Sequence, residues 1–552
     1  MTTDVDRPWL KHYPAGVSRS FDPPRLTLPA FLAEAVASFA DRPAIEYFGQ
    51  TLTYADLGRE VAIATDVLRQ AGVQPGDRVA IFLPNCPQHP FFFFGTQFAG
   101  GAAVHMSPLD ASRESEHKLR DSGARVMVTL STKTFAEKAI ELHRRGAVET
   151  VIVCEDPVSA SAEGTVESFP AGFVRYADLA ANATSRELVV PERDAEELAL
   201  LQYTGGTTGL PKGAMLSQRN ITAGTLIAIE WWKSQRGGGP DNIYLCYSPL
   251  FHALGLTGLL RRLREGALSI IRQRFDVADA LDLIEQRRIS TFAGVPTMWL
   301  AIADFPGVET RDLSSLVYLG SGSAPLPLEV SRRLEALTGH RLRGGWGMTE
   351  LGGGTTIPPD WSRDKEGTVG IPLPGIDMQI VDADDPRKVL PAGEVGELRV
   401  RGPCVMSGYY NKPEETSQAF VDGWLMSGDL ARMDADGYFY IVDRKKDLIL
   451  SGGFNVYPLA IENAVMEHPH VSEAIAIGVP DDYRGESAKV FVVQRPDTPD
   501  LTIDELRTFL KDRLGKHEMP RFVERVAEIP RTSVGKSSRK MMRDRALAAS
   551  QP

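Results

Sequence analysis

The stretch Tyr203 to Gly213, YTGGTTGLPKG, gathers glycines, hydroxyls and a lysine directly behind an apolar run that ends near Gln202. Gly205, Gly206 and Gly209 remove Cβ atoms, so backbone N–H groups can approach a polyphosphate. Thr204, Thr207 and Thr208 add hydroxyl donors, and Lys212 adds a cation. The string is not a Walker A loop, because Pro211 precedes the lysine and Gly213 follows it. Gly535-Lys536-Ser537 looks closer, but Pro530 stands where that motif needs its first glycine. A second segment, GGWGMTE from Gly344 to Glu350, sets Trp346 between Gly345 and Gly347 as a ring able to stack on a base. Thr349 and Glu350 follow it. A carboxylate beside phosphates is repulsive unless a metal intervenes, which makes Glu350 a candidate Mg²⁺ ligand. In Ser427-Gly428-Asp429 a carboxylate can accept from two vicinal ribose hydroxyls. A basic loop, RTSVGKSSRK, carries Lys536 near the end of the chain. Each segment alone is compatible with a turn, a packed tryptophan or a solvated basic face; together they are far less easily accidental.

These segments need a scaffold, and the periodicity supplies one. Val79–Leu83, Val126–Leu130, Val151–Cys154 and Leu198–Leu201 are short apolar runs of buried-strand type, separated by amphipathic stretches such as Tyr54–Gln70 and Val277–Arg288. That alternation, through about residue 345, predicts an α/β fold of doubly wound parallel sheets. Phe91 to Val104 is expected to be one buried helix, too short and too interrupted by Gln97 to span a membrane. From Gly367 to Tyr440 short strands alternate with Gly, Pro and Asp pairs, which predicts an antiparallel, small barrel-like or sandwich unit. The last hundred or so residues read as a small α+β module. Its expected strands are Ile475–Val479 and Val490–Val493, and Thr502 with Glu505 forms a capping box for a helix that buries Leu506, Phe509, Leu510 and Leu514. The charged run Asp443 to Asp447, read alone, is a solvated turn.

Composition narrows the function class. The 552 residues carry 61 Lys+Arg against 72 Asp+Glu, a net charge of −11, with 43% apolar and 24% charged residues. This is ordinary for a globular, multi-unit protein and argues against a general nucleic-acid binder. Cys86, Cys154, Cys246 and Cys404 lie too far apart for a zinc cluster or a disulfide framework, which fits a reducing compartment. No secretory signal opens the chain, so a cytoplasmic protein is expected. No basic amphipathic anchor stands out; peripheral membrane association and a homodimer are left open.

The ordered set YTGGTTGLPKG, GGWGMTE, SGDLARMDADGYFYIVDRKKDLI, SGGFNVYP and PRTSVGK resembles the adenylate-forming superfamily over about Phe31 to Arg543, with its closest look to bacterial fatty-acyl-CoA ligases. The resemblance implies ATP, Mg²⁺ and coenzyme A acting on a carboxylic acid: first an acyl-adenylate with release of pyrophosphate, then thioester formation with release of AMP. It implies that Thr204 to Lys212 hold the β- and γ-phosphates, Thr349 the α-phosphate and Glu350 the Mg²⁺. Gly345 would contact the nucleotide and Trp346 would stack on adenine, Asp429 and Arg444 would hold the ribose, and Ser323 and Ala324 would line the adenine and acyl pockets. His252 would stand beside the carboxylate, and Lys536 would bridge carboxylate and α-phosphate. Residues 1–445 would form the AMP-binding domain and 446–552 a mobile lid. Lys446 would be the hinge, and Ser451, Gly452 and Gly453 would line the thiol tunnel, with Gly452 intolerant of a side chain.

Several positions depart from the family pattern. Trp346 replaces the more usual tyrosine, Leu450 replaces a lysine found in aryl-acid relatives, and Ala460 replaces a glutamate. Arg261, Arg262 and Arg264 interrupt a helix that commonly contributes apolar wall to the acyl tunnel. They either pair with acidic residues or face solvent, or one of them meets the far carboxylate of a dicarboxylic substrate. A medium- or long-chain fatty acid is the first expectation for the substrate. A dicarboxylic or aryl acid, loading of a separate carrier protein, and a catalytically silent nucleotide sensor follow it.

Overall fold

The structure is a computed structural model that describes residues 6–204, 210–233, 235, 237–322, 324, 328–362, 364–496, 498–532 and 537–549. The buried apolar runs become strands of two seven-stranded sheets. In the first, the order is Phe173–Arg175, Thr150–Cys154, Val126–Leu130, Arg78–Ile81, Ala102–His105, Leu198–Thr204 and Lys212–Ser217. All neighbours are parallel except the last pair, a hairpin. The second runs Leu342–Gly344, Tyr318–Ser321, Thr291–Gly294, Ile243–Cys246, Leu268–Ile271, Pro43–Tyr47 and Gln50–Thr53, again parallel until its final hairpin. The inner strands are buried on both faces, as a helix-covered parallel sheet requires, while the edge strands Gln50–Thr53 and Phe173–Arg175 are not. One continuous apolar cluster runs from Trp9 to Phe439, and a second lies against the strands of the second sheet.

The helix over Tyr54–Gln70 opens with a reciprocal capping box between Thr53 and Asp56. The run Phe91 to Val104 is not one helix. The helix spans Gln88–Phe98, Gly100 turns the chain at φ +84°, and Ala102–His105 is a central strand. A buried helix and a buried parallel strand carry the same unbroken apolar texture, so only the Gly100-Gly101 pair marks the boundary.

The segment from Gly367 onward forms a five-stranded antiparallel sheet: Asp377–Val381, Gly396–Arg401 and Trp424–Met433 in order, with Phe420–Val421 and Phe439–Arg444 both paired to Trp424–Met433. The last module has its own sheet. Its hairpin is Val471–Asp481/Gly485–Gln494; along the second edge of Gly485–Gln494 lie both Ile449–Ser451, which pairs in turn with Phe454–Val456, and the parallel strand Phe522–Arg525. The helix Ile503–Leu510 carries the expected capping box and packs Leu506 and Leu510 into a separate small core. Cys86, Cys154, Cys246 and Cys404 are all free and buried.

Candidate active site

The two strands that flank the glycine-rich loop pair antiparallel, with Thr204 opposite Lys212. Gly205, Gly206, Thr207, Thr208 and Gly209 lie outside the described residues. The base of this hairpin is tied to its surroundings. Tyr203 donates its hydroxyl to Asp121 at 2.7 Å, and His117 Nε2 donates to the Pro211 carbonyl at 2.9 Å. Lys212 Nζ sits 4.2 Å from the centre of the Tyr409 ring, whose hydroxyl donates to Glu350 Oε1 at 2.8 Å. Burial, and then the Glu350 charge, push the Tyr409 phenol well above its ordinary range, so it remains a donor. The lysine expected at the phosphates and the buried carboxylate expected to bind Mg²⁺ therefore share one tyrosine. Tyr409 was not legible as a site residue. It reaches the site because the chain beside it returns along the hairpin, with Met215 N donating to the Gly408 carbonyl and Tyr410 N to that of Gly213.

Trp346 follows the strand Leu342–Gly344 and is buried. Its indole Nε1 donates to Asp429 Oδ2 at 2.8 Å, and Arg444 Nε pairs with Asp429 Oδ1 at 2.7 Å. Asp429 and Arg444 are cross-strand partners in the antiparallel sheet. The residues expected at base and ribose thus form one line: indole, carboxylate, guanidinium. The flanking glycines have a reason of their own. A Cβ on Gly345 would lie 2.7 Å from the Thr356 carbonyl oxygen, and one on Gly347 would lie 2.1 Å from that of Gly353. Backbone crosses backbone there, whatever ligand is bound. Thr349 and Glu350 stand in the short turn Thr349–Leu351, closed by Gly352 at φ +63°.

His252 is the N-cap of the helix Ala253–Glu265, its Nδ1 accepting from Leu254 N at 3.3 Å. The next turn faces the connection that carries Ala324, since a Cβ on Gly322 would touch Leu254 at 3.6 Å. Ser323 lies outside the described residues. The His252 turn is held from behind by Gln202, which donates to the Phe251 carbonyl at 2.8 Å and accepts from His105 Nδ1 at 3.0 Å. Burial lowers His105 to about 4, and burial with the adjacent His105 lowers His89 as well. Both rings are neutral in the folded state but take up protons near pH 6.5 when unfolded. Stability is therefore full above about pH 6.5 and falls as pH drops toward 4, by about 3 kcal/mol for His105 alone. Urea unfolding at pH 7 and pH 4.5 should display that loss, and His105→Gln should flatten it.

The arginines on this helix do not reach for a substrate. Arg261 and Arg262 are buried and both pair with Glu265, at 3.0 and 3.3 Å. Arg261 also donates to the Gly237 carbonyl at 2.7 Å and lies 4.6 Å from the Trp232 ring, while Arg262 donates to Thr291 Oγ1 at 3.2 Å. Arg264 pairs with Glu34 at 2.6 Å on the exposed side. Burial, then the neighbouring Arg262, pulls Arg261 down to about 9. Arg261→Leu should cost roughly 3–5 kcal/mol of stability, because it disturbs a buried ion pair and leaves one carboxylate shared less well. The same change should leave the ratio of dicarboxylate to monocarboxylate turnover unmoved, which parallel melting curves and substrate assays would establish.

In the last module, Lys446 is exposed in the turn Lys445–Asp447. Gly452 and Gly453 make the two-residue turn between Ile449–Ser451 and Phe454–Val456, at φ +58° and +82°. Ser451 is buried, yet no atom lies within 4 Å of a Cβ built on either glycine. In this arrangement crowding does not exclude a side chain from Gly452; its left-handed backbone disfavours one instead. Lys536 lies outside the described residues.

The acid–tyrosine–lysine group and the indole–carboxylate–guanidinium line bring together residues that the sequence reading expected around a nucleotide. The AMP-binding enzyme model matches residues 32–410 and the AMP-binding enzyme C-terminal domain matches 460–536, so the chain belongs to the AMP-binding enzymes. The long-chain-fatty-acid–CoA ligase of Bacillus subtilis (strain 168) is 36% identical over 551 residues, covering 97% of each chain. A feruloyl-CoA synthase from Amycolatopsis sp is 37% identical over 89% of this chain and 94% of its own. ATP-bound MatB from Rhodopseudomonas palustris superposes with a TM-score of 0.85 at 29% identity over 95% of this chain and all of its own; its apo form gives 0.75.

Proposed function

We propose that the protein is an ATP-dependent acid:CoA ligase acting on a medium- or long-chain fatty acid. The observation that carries the nucleotide half is the Asp429 carboxylate, held between Arg444 and Trp346. The full-length likeness to long-chain-fatty-acid–CoA ligases supports the acid class.

A carboxylate is a poor electrophile, and oxide is a poor leaving group. In the first half-reaction a carboxylate oxygen of the acid bonds to the α-phosphorus of ATP and the bond to the bridging oxygen of pyrophosphate breaks. In the second, the sulfur of CoA bonds to the acyl carbon and AMP leaves, the thiol proton passing to solvent. The first step crowds anions together, so positioning and cationic or N–H donors lower its barrier. Lys212 and the Thr204–Gly209 loop serve the β- and γ-phosphates, Thr349 the α-phosphate and Asp429 with Arg444 the ribose. His252 stands by the acid, and Lys536 bridges the two reacting anions. The donor set fits Mg²⁺: one buried acidic side chain, Glu350, with a tyrosine hydroxyl on one oxygen, suits an ion that takes most of its remaining ligands from phosphate and water. When bound, Mg²⁺ would neutralise phosphate charge.

The AMP-binding domain is proposed to end at residue 445, with Lys446 as hinge and Ser451 to Gly453 lining the thiol path. No helix among the described residues is long and apolar enough to cross a membrane. The four buried free cysteines support a cytoplasmic setting. An aromatic acid is the second reading, favoured by the feruloyl-CoA synthase relative. Pyrophosphate release should be measured with fatty acids of graded length, dicarboxylates and ferulate, with and without CoA. Release and thioester with a C8–C18 acid are expected. Release without thioester would point to a carrier-protein acceptor, and no release with any acid would sink the assignment.

A further inference from the structure

Arg539 lies three residues beyond Lys536 and begins the helix Arg539–Ala549. Its Nε and Nη2 make a bidentate pair with Glu462, at 3.0 and 2.8 Å, on the helix Pro458–Met466 of the last module. Its Nη1 points the other way, to Asp443 Oδ1 at 2.7 Å. Asp443 belongs to a different body: it sits in the strand Phe439–Arg444 of the five-stranded sheet, one residue before Arg444 and so beside the ribose group. Its other oxygen accepts from Leu459 N at 2.7 Å, and Asp447 lies 3.5 Å from the same Arg539 Nη1. Both the arginine and Asp443 are largely withdrawn from water, with side-chain exposures of 14% and 1%. A charge pair so shielded is screened little by salt and is worth far more than a surface contact.

The base of the segment preceding Arg539 is also closed. Arg531 pairs with Ser537 in an antiparallel bridge, Ser538 N donates to the Pro530 carbonyl at 2.9 Å, and Arg531 makes a two-pronged pair with Glu473. These contacts lie within the last module. Arg539 is different, because it binds both bodies at once.

We propose that Arg539 is a positioning residue and a latch. It holds the last module, through Asp443, against the strand that carries Arg444, and the Arg539–Asp443 pair must open when the last module turns for thioester formation, while Arg539–Glu462 travels with the module. The proposal rests on the acid:CoA ligase reading and on a turn between the strand ending at Arg444 and the module sheet. Among the described residues a second ion pair between the bodies, Arg495 with Asp304 at 3.3 Å, is partly exposed and shared with Arg333, and it cannot set register as a buried pair does.

Asp443→Asn keeps size and acceptors while removing the charge, and Arg539→Gln removes the other partner. For each single variant and for the double, two rates are read: acid-dependent pyrophosphate release without CoA, and thioester formation from supplied acyl-adenylate plus CoA. Tryptic cleavage at Lys445 and Lys446 is followed in parallel. Each single variant should slow the first rate roughly ten- to a hundred-fold, as loss of a hydrogen bond to a charged group does. The double should be no slower than the worse single, and the second rate should stay within about two-fold of wild type or rise. Cleavage should quicken in all three. Equal falls in both rates would mean a merely structural role and overturn the latch, as would an unchanged first rate or a fall confined to the second. If the wild type itself releases no pyrophosphate with any acid, the enzymatic reading fails; the latch then stands or falls on cleavage, and unchanged cleavage overturns it.

Discussion

Methionine in place of Lys536 should slow acyl-adenylate formation by about a hundred- to a thousand-fold, the loss that follows removal of one charge-stabilising donor from a developing anion. The reacting pair brings a carboxylate against a triphosphate, and a mobile ammonium is the one group proposed to touch both. Thioester formation from a supplied adenylate should change little, because no negative charge is brought against phosphate in that step. Rapid-quench measurement of the two half-reactions separates these outcomes. An unchanged adenylation rate would remove the basis for placing Lys536 at the reacting centre.

Glu350→Gln should lower the adenylation rate by about a hundred-fold and raise the Mg²⁺ concentration needed for half-maximal activity. The amide oxygen can still accept from Tyr409, so the fold should hold and the melting temperature should shift little. Removing Tyr409 itself by Tyr409→Phe separates two contributions. The ring under Lys212 remains, but Glu350 loses its donor, which is expected to cost about 1.5–3 kcal/mol for a hydrogen bond to a charged group. A glutamine variant whose Mg²⁺ dependence matches wild type would show that Glu350 serves packing alone.

Much of the scaffold could be read from residue pattern because local and global demands agree there. Val126–Leu130 is a strand at the residues expected, and Tyr54–Gln70 is a helix closed at its start by Thr53 and Asp56. The Thr502–Glu505 box likewise announced its helix. What escaped depends on contacts between distant parts of the chain. Nothing near Tyr409 in sequence marks it for Lys212 and Glu350. Asp443 reads as one charge in a solvated run until Arg539, 96 residues away, is brought against it. Arg261 and Arg262 look like the wet face of an amphipathic helix, but that helix is covered on nearly every side and their charge had to be matched by Glu265. The glycines of GGWGMTE were legible as special, and their close backbone crossings add a second reason to the one the pattern suggested.

The four cysteines, all buried, carry a practical consequence. Burial raises the thiols of Cys246 and Cys404 to about 12 and pushes Cys86 and Cys154 higher still, so almost none is present as the reactive thiolate at neutral pH. A maleimide dye should therefore leave the native chain unlabelled. Tyr483, 92% exposed at a turn of the small module, and Asp241, equally bare on the large body, can each be replaced by cysteine to give a fluorophore pair on a dark background. The proposed swing of one body against the other can then be tested molecule by molecule during turnover.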